Sequence, residues 1–278
     1  MRVIGGALAA AAGLMFAASA TLQKKEAVQV ETSRGVGLLS SLAKRSGWIG
    51  ATILGLLGWT AEAAALSLAP IAVVMPVMGC GIGVLVVLGV RWLGERFGLR
   101  ELLAILLVGA GGTSAAILAS GPVVRRPLSA GALLAVGAVA LICALIAGRR
   151  RTAVGFGLAA GFLYAAVAVY TKEIGDRFAE HGLHAIASLF AGPVPWLLGG
   201  SAIVALASLQ AGFQRGNAAT VTAAMTGPEI LGPILAGFLV YHEQYRTGAA
   251  EVLLLISAAV VVGGIAIATR AHANAIRS

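Results

Sequence analysis

Two carboxylates stand where a carboxylate is costly. Glu62 lies inside the apolar run Gly47 to Leu68, and Glu229 lies near the middle of the run Ala218 to Tyr241, in the segment TGPEILGP. A charge at membrane depth costs several kcal/mol unless it faces a cavity or a partner, so each acid reads as a candidate site rather than as surface. Glu229 is the sharper of the two. Pro228 and Pro233 flank it with Gly227 and Gly232. Each proline removes a backbone donor and frees a carbonyl, so negative charge and unpaired oxygens would meet at one point. Such a group suits a cation or a proton; the alternative is a carboxylate kept protonated or paired in a packed kink. For Glu62 the alternative is solvation at the outer headgroups.

The run Ala69 to Val90 carries the same kind of irregularity without an acid, at Pro70, Pro76, Gly79, Gly81 and Gly83. Paired Gly/Pro-interrupted helices in corresponding halves point to a transporter's binding site. The expected helix breaks and gating positions are therefore Pro70, Pro76 and Gly79 in one half, and Pro228 and Pro233 in the other. Gln210, Gln214, Asn217, Thr220, Thr222 and Thr226 are candidates to line the same cavity, or else to hydrogen-bond between helices and to their own backbones. The site set is Glu62, Glu229, Gln210, Gln214, Asn217 and Thr226, with Glu62 and Glu229 as metal ligands only if the cargo is a cation.

Other chemistries lack their residues. The sequence has no nucleotide-binding loop, no Ser/His/Asp pattern and no HExxH. GAGGTS (Gly109 to Ser114) falls within an apolar run and reads as helix packing. Cys80 and Cys143 each lie alone in apolar sequence and read as buried small hydrophobes. The four histidines, His181, His184, His242 and His272, sit in loops or the tail. An enzyme is the least expected class, and no cofactor is implied beyond a coupling proton or a carried Mg²⁺.

The elements that position these residues follow from composition. The 278 residues are 59% hydrophobic and only 11% charged, more apolar surface than one soluble core could bury. With 38 Gly and 6% aromatics, close-packed helices are expected rather than a barrel. The fold class is all-α, a polytopic membrane protein of about nine spans: Val3 to Leu22, Gly47 to Leu68, Ala69 to Val90, Leu102 to Ser120, Leu128 to Ala147, Ala153 to Thr171, Trp196 to Phe213, Ala218 to Tyr241 and Ala249 to Thr269. The first could be mistaken for a signal peptide, but it is long and has an internal counterpart. A short amphipathic turn is expected at Gly37 to Lys44, and the Pro-interrupted lead-in Ala185 to Pro195 could be re-entrant or part of a tenth crossing.

That counterpart reflects a duplication. An ungapped offset of 148 residues lays GLMFAASATLQK (Gly13 to Lys24) on GFLYAAVAVYTK (Gly161 to Lys172). The same offset pairs Trp48 with Trp196, Glu62 with Gln210, Gly79 with Gly227 and Glu95 with Glu243, and sets Glu229 opposite Gly81. Trp48 and Trp196 read as interfacial anchors; Lys24, Lys172, Glu95 and Glu243 read as snorkelling groups or loop ion pairs more simply than as gates. Residues 1–127 form the first repeat, 128–152 a linker helix with a basic loop, and 153–278 the second repeat. With five spans between equivalent starting points the repeats would be inverted, as in alternating-access transporters. Of the 20 Lys and Arg, 14 fall on the side of the odd-numbered connections and the C-terminus. Basic loops remain cytoplasmic, so the N-terminus is expected outside and the C-terminus inside, in the plasma membrane. The charge of +9 is thereby assigned to topology rather than to nucleic acid.

LSLAPIAVVMPV followed by LGER, and LQAGFQRGNAATV followed by YHE, resemble the recurring pattern of the drug/metabolite transporter superfamily, the EamA-like group in its broad sense. The LQK ending of the first span, Glu62 and the nine-span count are similar to the NIPA-type magnesium transporter branch. The chain departs from these patterns in lacking a full second helix in each half, in the short spacing from Glu62 to Pro70, and in carrying Glu229. The resemblance implies a secondary transporter of a small metabolite or drug-like solute, with a Mg²⁺ or other divalent-cation carrier as the alternative. A non-transporting membrane scaffold is the alternative from another class. The expected partners are the lipid bilayer and a small-molecule or ionic substrate, with no nucleic acid.

Overall fold

The computed structural model describes residues 2–30, 36–68, 71–118, 128–184, 189–241 and 249–277. Every element is helical among these residues: α1 (Arg2–Ala27), α2 (Val36–Leu42), α3 (Ser46–Leu68), α4 (Ile71–Leu93), α5 (Leu99–Leu118), α6 (Ala130–Gly148), α7 (Ala153–His181), a 3₁₀ turn (Gly182–His184), α8 (Val194–Phe213), α9 (Ala218–Leu239) and α10 (Ala249–Arg277). Among the described residues six segments are long and apolar enough to cross a membrane, Val3–Ala27, Ala130–Gly148, Ala153–Arg177, Val194–Phe213, Ala218–Leu239 and Glu251–Ala268. This is the character of a multi-pass membrane protein. Large apolar side chains on outward faces agree, with Leu56, Trp59, Val139, Leu145 and Leu255 all more than half exposed. A water-soluble surface rarely carries so many.

Local sequence explains several helix ends. Ser129 caps α6, its hydroxyl accepting from Ala132 N at 3.1 Å, and Thr152 accepts from Gly155 N at 3.0 Å at the start of α7. α7 departs from the expected end at Thr171. It runs on to His181 because Lys172–Asp176 and Glu173–Arg177, both at 2.9 Å, are i,i+4 ion pairs that support one more stretch of helix. The short amphipathic helix forms as α2, with Leu38 and Leu42 fully buried near α8. Residues 185–188, within the lead-in to α8, lie outside the described residues, as do Pro70, His242 and Glu243.

Small residues set the packing. α1 lies along α3 and α4, and α7 along α8 and α9. A Cβ added at Gly81 would come within 2.8 Å of Gly13 O, so α1 and α4 touch backbone to backbone. At Gly161 an added Cβ would meet Met225 O at 2.2 Å, the same kind of contact between α7 and α9. α5 packs along α10, where Gly111 faces Ser257 O, and GAGGTS thus serves helix packing as expected. α6 covers α7, the Tyr170 hydroxyl donating to Leu133 O at 3.1 Å.

Two burial expectations fail. Cys80 is exposed and Cys143 half-exposed, because both lie on outward apolar faces that lipid rather than protein would cover. Trp196 is 70% exposed, in keeping with an anchor, whereas Trp48 is only 7% exposed and belongs to the main core cluster.

Candidate functional site

The carboxylates of Glu62 on α3 and Glu229 on α9 lie within each other's electrostatic reach, and the Tyr164 hydroxyl of α7 lies within that of Glu229. Glu229 sits about 16 Å along α9 from Ala218, and Glu62 about 24 Å along α3 from Ser46, so both are well inside their helices. Both are half-buried. No Lys, Arg or His occurs in any of the nine apolar runs, so no basic side chain of those runs neutralises the pair. The arrangement combines two acids from the two halves of the chain with one phenol. It can hold a cation or exchange a proton.

Around Glu229 the helix is not broken. α9 is continuous from Ala218 to Leu239 with Pro228 and Pro233 inside it, and α4 continues through Pro76 and Gly79. The prolines thin the hydrogen-bond ladder, and the turns on either side hold the helix, so the expected breaks are local gaps in bonding. Thr226 hydrogen-bonds to Thr222 O of its own helix at 3.0 Å, the local alternative for a threonine in a helix.

The other expected site residues lie elsewhere. Gln210, Gln214 and Asn217 gather at the end of the molecule where α1 finishes and α9 begins; Asn217 is about 18 Å along the helix from Glu229. Gln210 Nε2 donates to Gln23 Oε1 at 2.6 Å, Gln214 Nε2 to Ala27 O at 3.0 Å and Val30 O at 3.2 Å, and Asn217 Nδ2 to Arg96 O at 3.0 Å. All three tie the second half to the first. They do not join Glu229, because their distance along α8 and α9 carries them to the helix ends.

Sequence reasoning put Lys24 at a helix end and Glu95 at a corner, as snorkelling groups or loop ion pairs, and the two do pair, buried at that end. Lys24 Nζ lies 2.5 Å from Glu95 Oε1 and also donates to Gly216 O. The same Glu95 oxygen accepts from Ala218 N at 2.8 Å, so a carboxylate from the first half caps the first turn of α9. Gly94 makes this possible: with φ at +65° it turns the chain back after α4, and Glu95 N then donates to Gly89 O at 3.0 Å. Glu95 is 8% exposed, and its Oε2 has no hydrogen-bond partner among the described residues.

At the opposite end Lys172 pairs with Asp176 and lies 4.2 Å from the centre of the Tyr241 ring. Glu173, fully buried, accepts from Leu128 N at 3.2 Å and from Arg177 Nε at 2.9 Å. These contacts stay within the second half and its linker helix. Tyr164, Gln23 and Glu173 were not singled out from sequence. The 148-residue offset does carry a signal for Tyr164, which adds a hydroxyl where the first half has Phe16. An apolar groove between α6, α7 and α8, lined by Leu134, Leu141, Leu163, Trp196 and Val204, lies apart from both acids.

Among the described residues no group of three or more His, Cys, Asp or Glu gathers as a metal centre. Mg²⁺ needs only one or two carboxylates beside its waters, so this geometry bears on strong chelation and not on passage of the ion. The class defined by the fold is a polytopic helical membrane protein. No protein-family model, curated protein or solved structure matches the chain.

Proposed function

We infer that the protein is a secondary transporter that carries a small cationic solute, or a solute exchanged for protons, through a site shared by Glu62 and Glu229. The observation that carries this reading is that each half places a carboxylate at membrane depth, Glu62 within electrostatic reach of Glu229, with no basic residue in the apolar runs to neutralise them. A scaffold has no use for such a pair, which costs desolvation and mutual repulsion. A transport site does: binding a proton or cation relieves both costs, and release restores them.

Alternating access is supported by the way neighbours correspond. α1 with α3 and α4 matches α7 with α8 and α9, and the glycine contacts at Gly13 and Gly161 fall at equivalent places. On this reading the helices of the first group run between the ends in the opposite sense to those of the second, as an inverted repeat requires. This correspondence supports the reading of the chain as a drug/metabolite-type transporter of the plasma membrane, with the basic Lys24 end proposed as cytoplasmic. A divalent-cation carrier is the second reading, favoured by the same pair of acids.

Flux into proteoliposomes distinguishes the cases. Tetraphenylphosphonium counterflow above empty vesicles is expected for wild type, with at least a tenfold loss in Glu229→Gln. Mg²⁺ uptake without tetraphenylphosphonium flux moves the assignment to the divalent carrier. Absence of both fluxes removes support for transport.

A further inference from the structure

The Lys24 end of the molecule is strongly basic on its outside. Lys25, Lys44, Arg91, Arg96, Arg100 and Arg149 are all exposed there. At the other end Lys172 and Arg177 are half-buried and paired with Asp176 and Glu173 of their own helix.

Three of the exposed cations belong to one corner, the stretch Arg91 to Arg100 that joins α4 to α5. Gly94, with φ at +65°, turns the chain, and the turn sorts its side chains. Glu95 goes inward, to Lys24 at 2.5 Å and Ala218 N at 2.8 Å, and its Oε2 sits where a Cβ on Gly89 would stand 2.6 Å away. Arg91, Arg96 and Arg100 go outward. The Arg96 carbonyl accepts from Asn217 Nδ2 at 3.0 Å, so the inner side of the corner is tied to the second half. The arginines therefore stand on a backbone fixed at several points, and binding to such a set costs less lost freedom than binding to a loose one.

The residues between the arginines decide the ligand. Trp92 is 54% exposed and Leu99 74%, so apolar surface is interleaved with the guanidinium groups. A soluble anion uses only the arginines, and an uncharged lipid leaves them unsatisfied. An anionic phospholipid uses both. Guanidinium takes phosphate oxygens in a bidentate fork, and an exposed tryptophan favours the headgroup depth of a bilayer. Arg100 points the same way. It lies in the first turn of α5, where the helix dipole disfavours a cation, and the acid of that turn, Glu101, already accepts from Gly98 N at 3.1 Å. An anion bound beside Arg100 offsets that cost.

We propose that the Arg91–Arg100 corner docks an anionic phospholipid of the leaflet on the Lys24 side, with Arg91, Arg96 and Arg100 holding the phosphate and Trp92 and Leu99 meeting the chains. This needs the membrane character of the fold and is independent of the transport reading. The lipid covers the outer side of the corner whose inner side joins the halves through Glu95 and Asn217.

Lipid retention by the full-length protein tests this. The protein in a nonionic detergent is titrated with phosphatidylglycerol or phosphatidylcholine, and bound lipid is counted by native mass spectrometry. Wild type is expected to hold phosphatidylglycerol at least about tenfold more tightly, and Arg91→Gln with Arg96→Gln and Arg100→Gln to lose that preference. A control, Lys25→Gln with Lys44→Gln and Arg149→Gln, takes as many charges from the same end and should stay within about threefold of wild type. Arg100→Gln alone should weaken phosphatidylglycerol about fivefold, and this single exposed change decides the matter if the triple variant does not fold. Equal affinity for the two lipids, or unchanged affinity in Arg100→Gln, overturns the proposal. An equal loss in the control also overturns it, since the attraction would then belong to the whole basic end. Full displacement of the lipid by inorganic phosphate would make the corner a site for free anions and overturn the lipid assignment.

Discussion

The two ends of this molecule are made from equivalent residues put to different use. At one end Lys24 and Glu95 form a buried pair that reaches across to Gly216 and caps α9, binding half to half. At the other, Lys172 pairs with Asp176, four residues along the same helix, and lies over the ring of Tyr241 of the same half. Lys24 thus joins the halves directly, while the Lys172–Asp176 pair stiffens the last turns of α7.

Mutations should separate the ends by size of effect. Lys24→Met leaves Glu95 buried without its cation and should cost about 3–5 kcal/mol, the usual penalty for half of a buried pair. A large drop in the thermal midpoint in detergent checks it. A midpoint within a degree of wild type would mean that the pair contributes nothing and the closure is held by the glutamines. Trp48→Ala should cost about 3–5 kcal/mol as a core truncation, against less than about 1 kcal/mol for the exposed Trp196→Ala. Equal losses would show that the two anchors are buried alike in the membrane.

The glycine contacts give a finer test. Gly161→Ala places a methyl carbon 2.2 Å from Met225 O and should cost about 1–3 kcal/mol as overpacking, while Gly13→Ala, with 3.2 Å to Met78 O, should cost less. Thermal midpoints of the two variants in the same detergent rank them. Smallest of all is Lys172→Met, where a partly exposed i,i+4 pair contributes about 0.3–0.5 kcal/mol. A Lys172→Met loss as large as that of Lys24→Met would erase the asymmetry between the ends.

The helical membrane character and most helix limits were legible in the sequence. Apolar runs of membrane length report directly on burial in lipid, and α2, α3 and α8 form where patterning and capping place them. The end of α7 was not legible, because charged residues read as a loop until their i,i+4 spacing is counted as helix support. Glu62 and Glu229 stood out because acids are rare in such runs. Glu62 comes within electrostatic reach of Glu229 because α1 and α4 touch both α3 and α9, which no local pattern encodes. Gln210, Gln214 and Asn217 carried the right chemistry at the wrong depth. Their amide nitrogens donate to the first half, a use visible only once Gln23, Val30 and Arg96 are brought beside them.

A double-mutant cycle on ligand binding tests the shared site most directly. Equilibrium binding of tetraphenylphosphonium and of Mg²⁺ is measured for the purified wild type, Glu62→Gln, Glu229→Gln and the double variant. If the two carboxylates hold one cation, each single change weakens binding of the same ligand and the double change costs clearly less than the sum, by a coupling of about 0.5–3 kcal/mol. Losses that add without coupling, or a Glu62→Gln protein that binds as the wild type does, would contradict a site built jointly by the two halves.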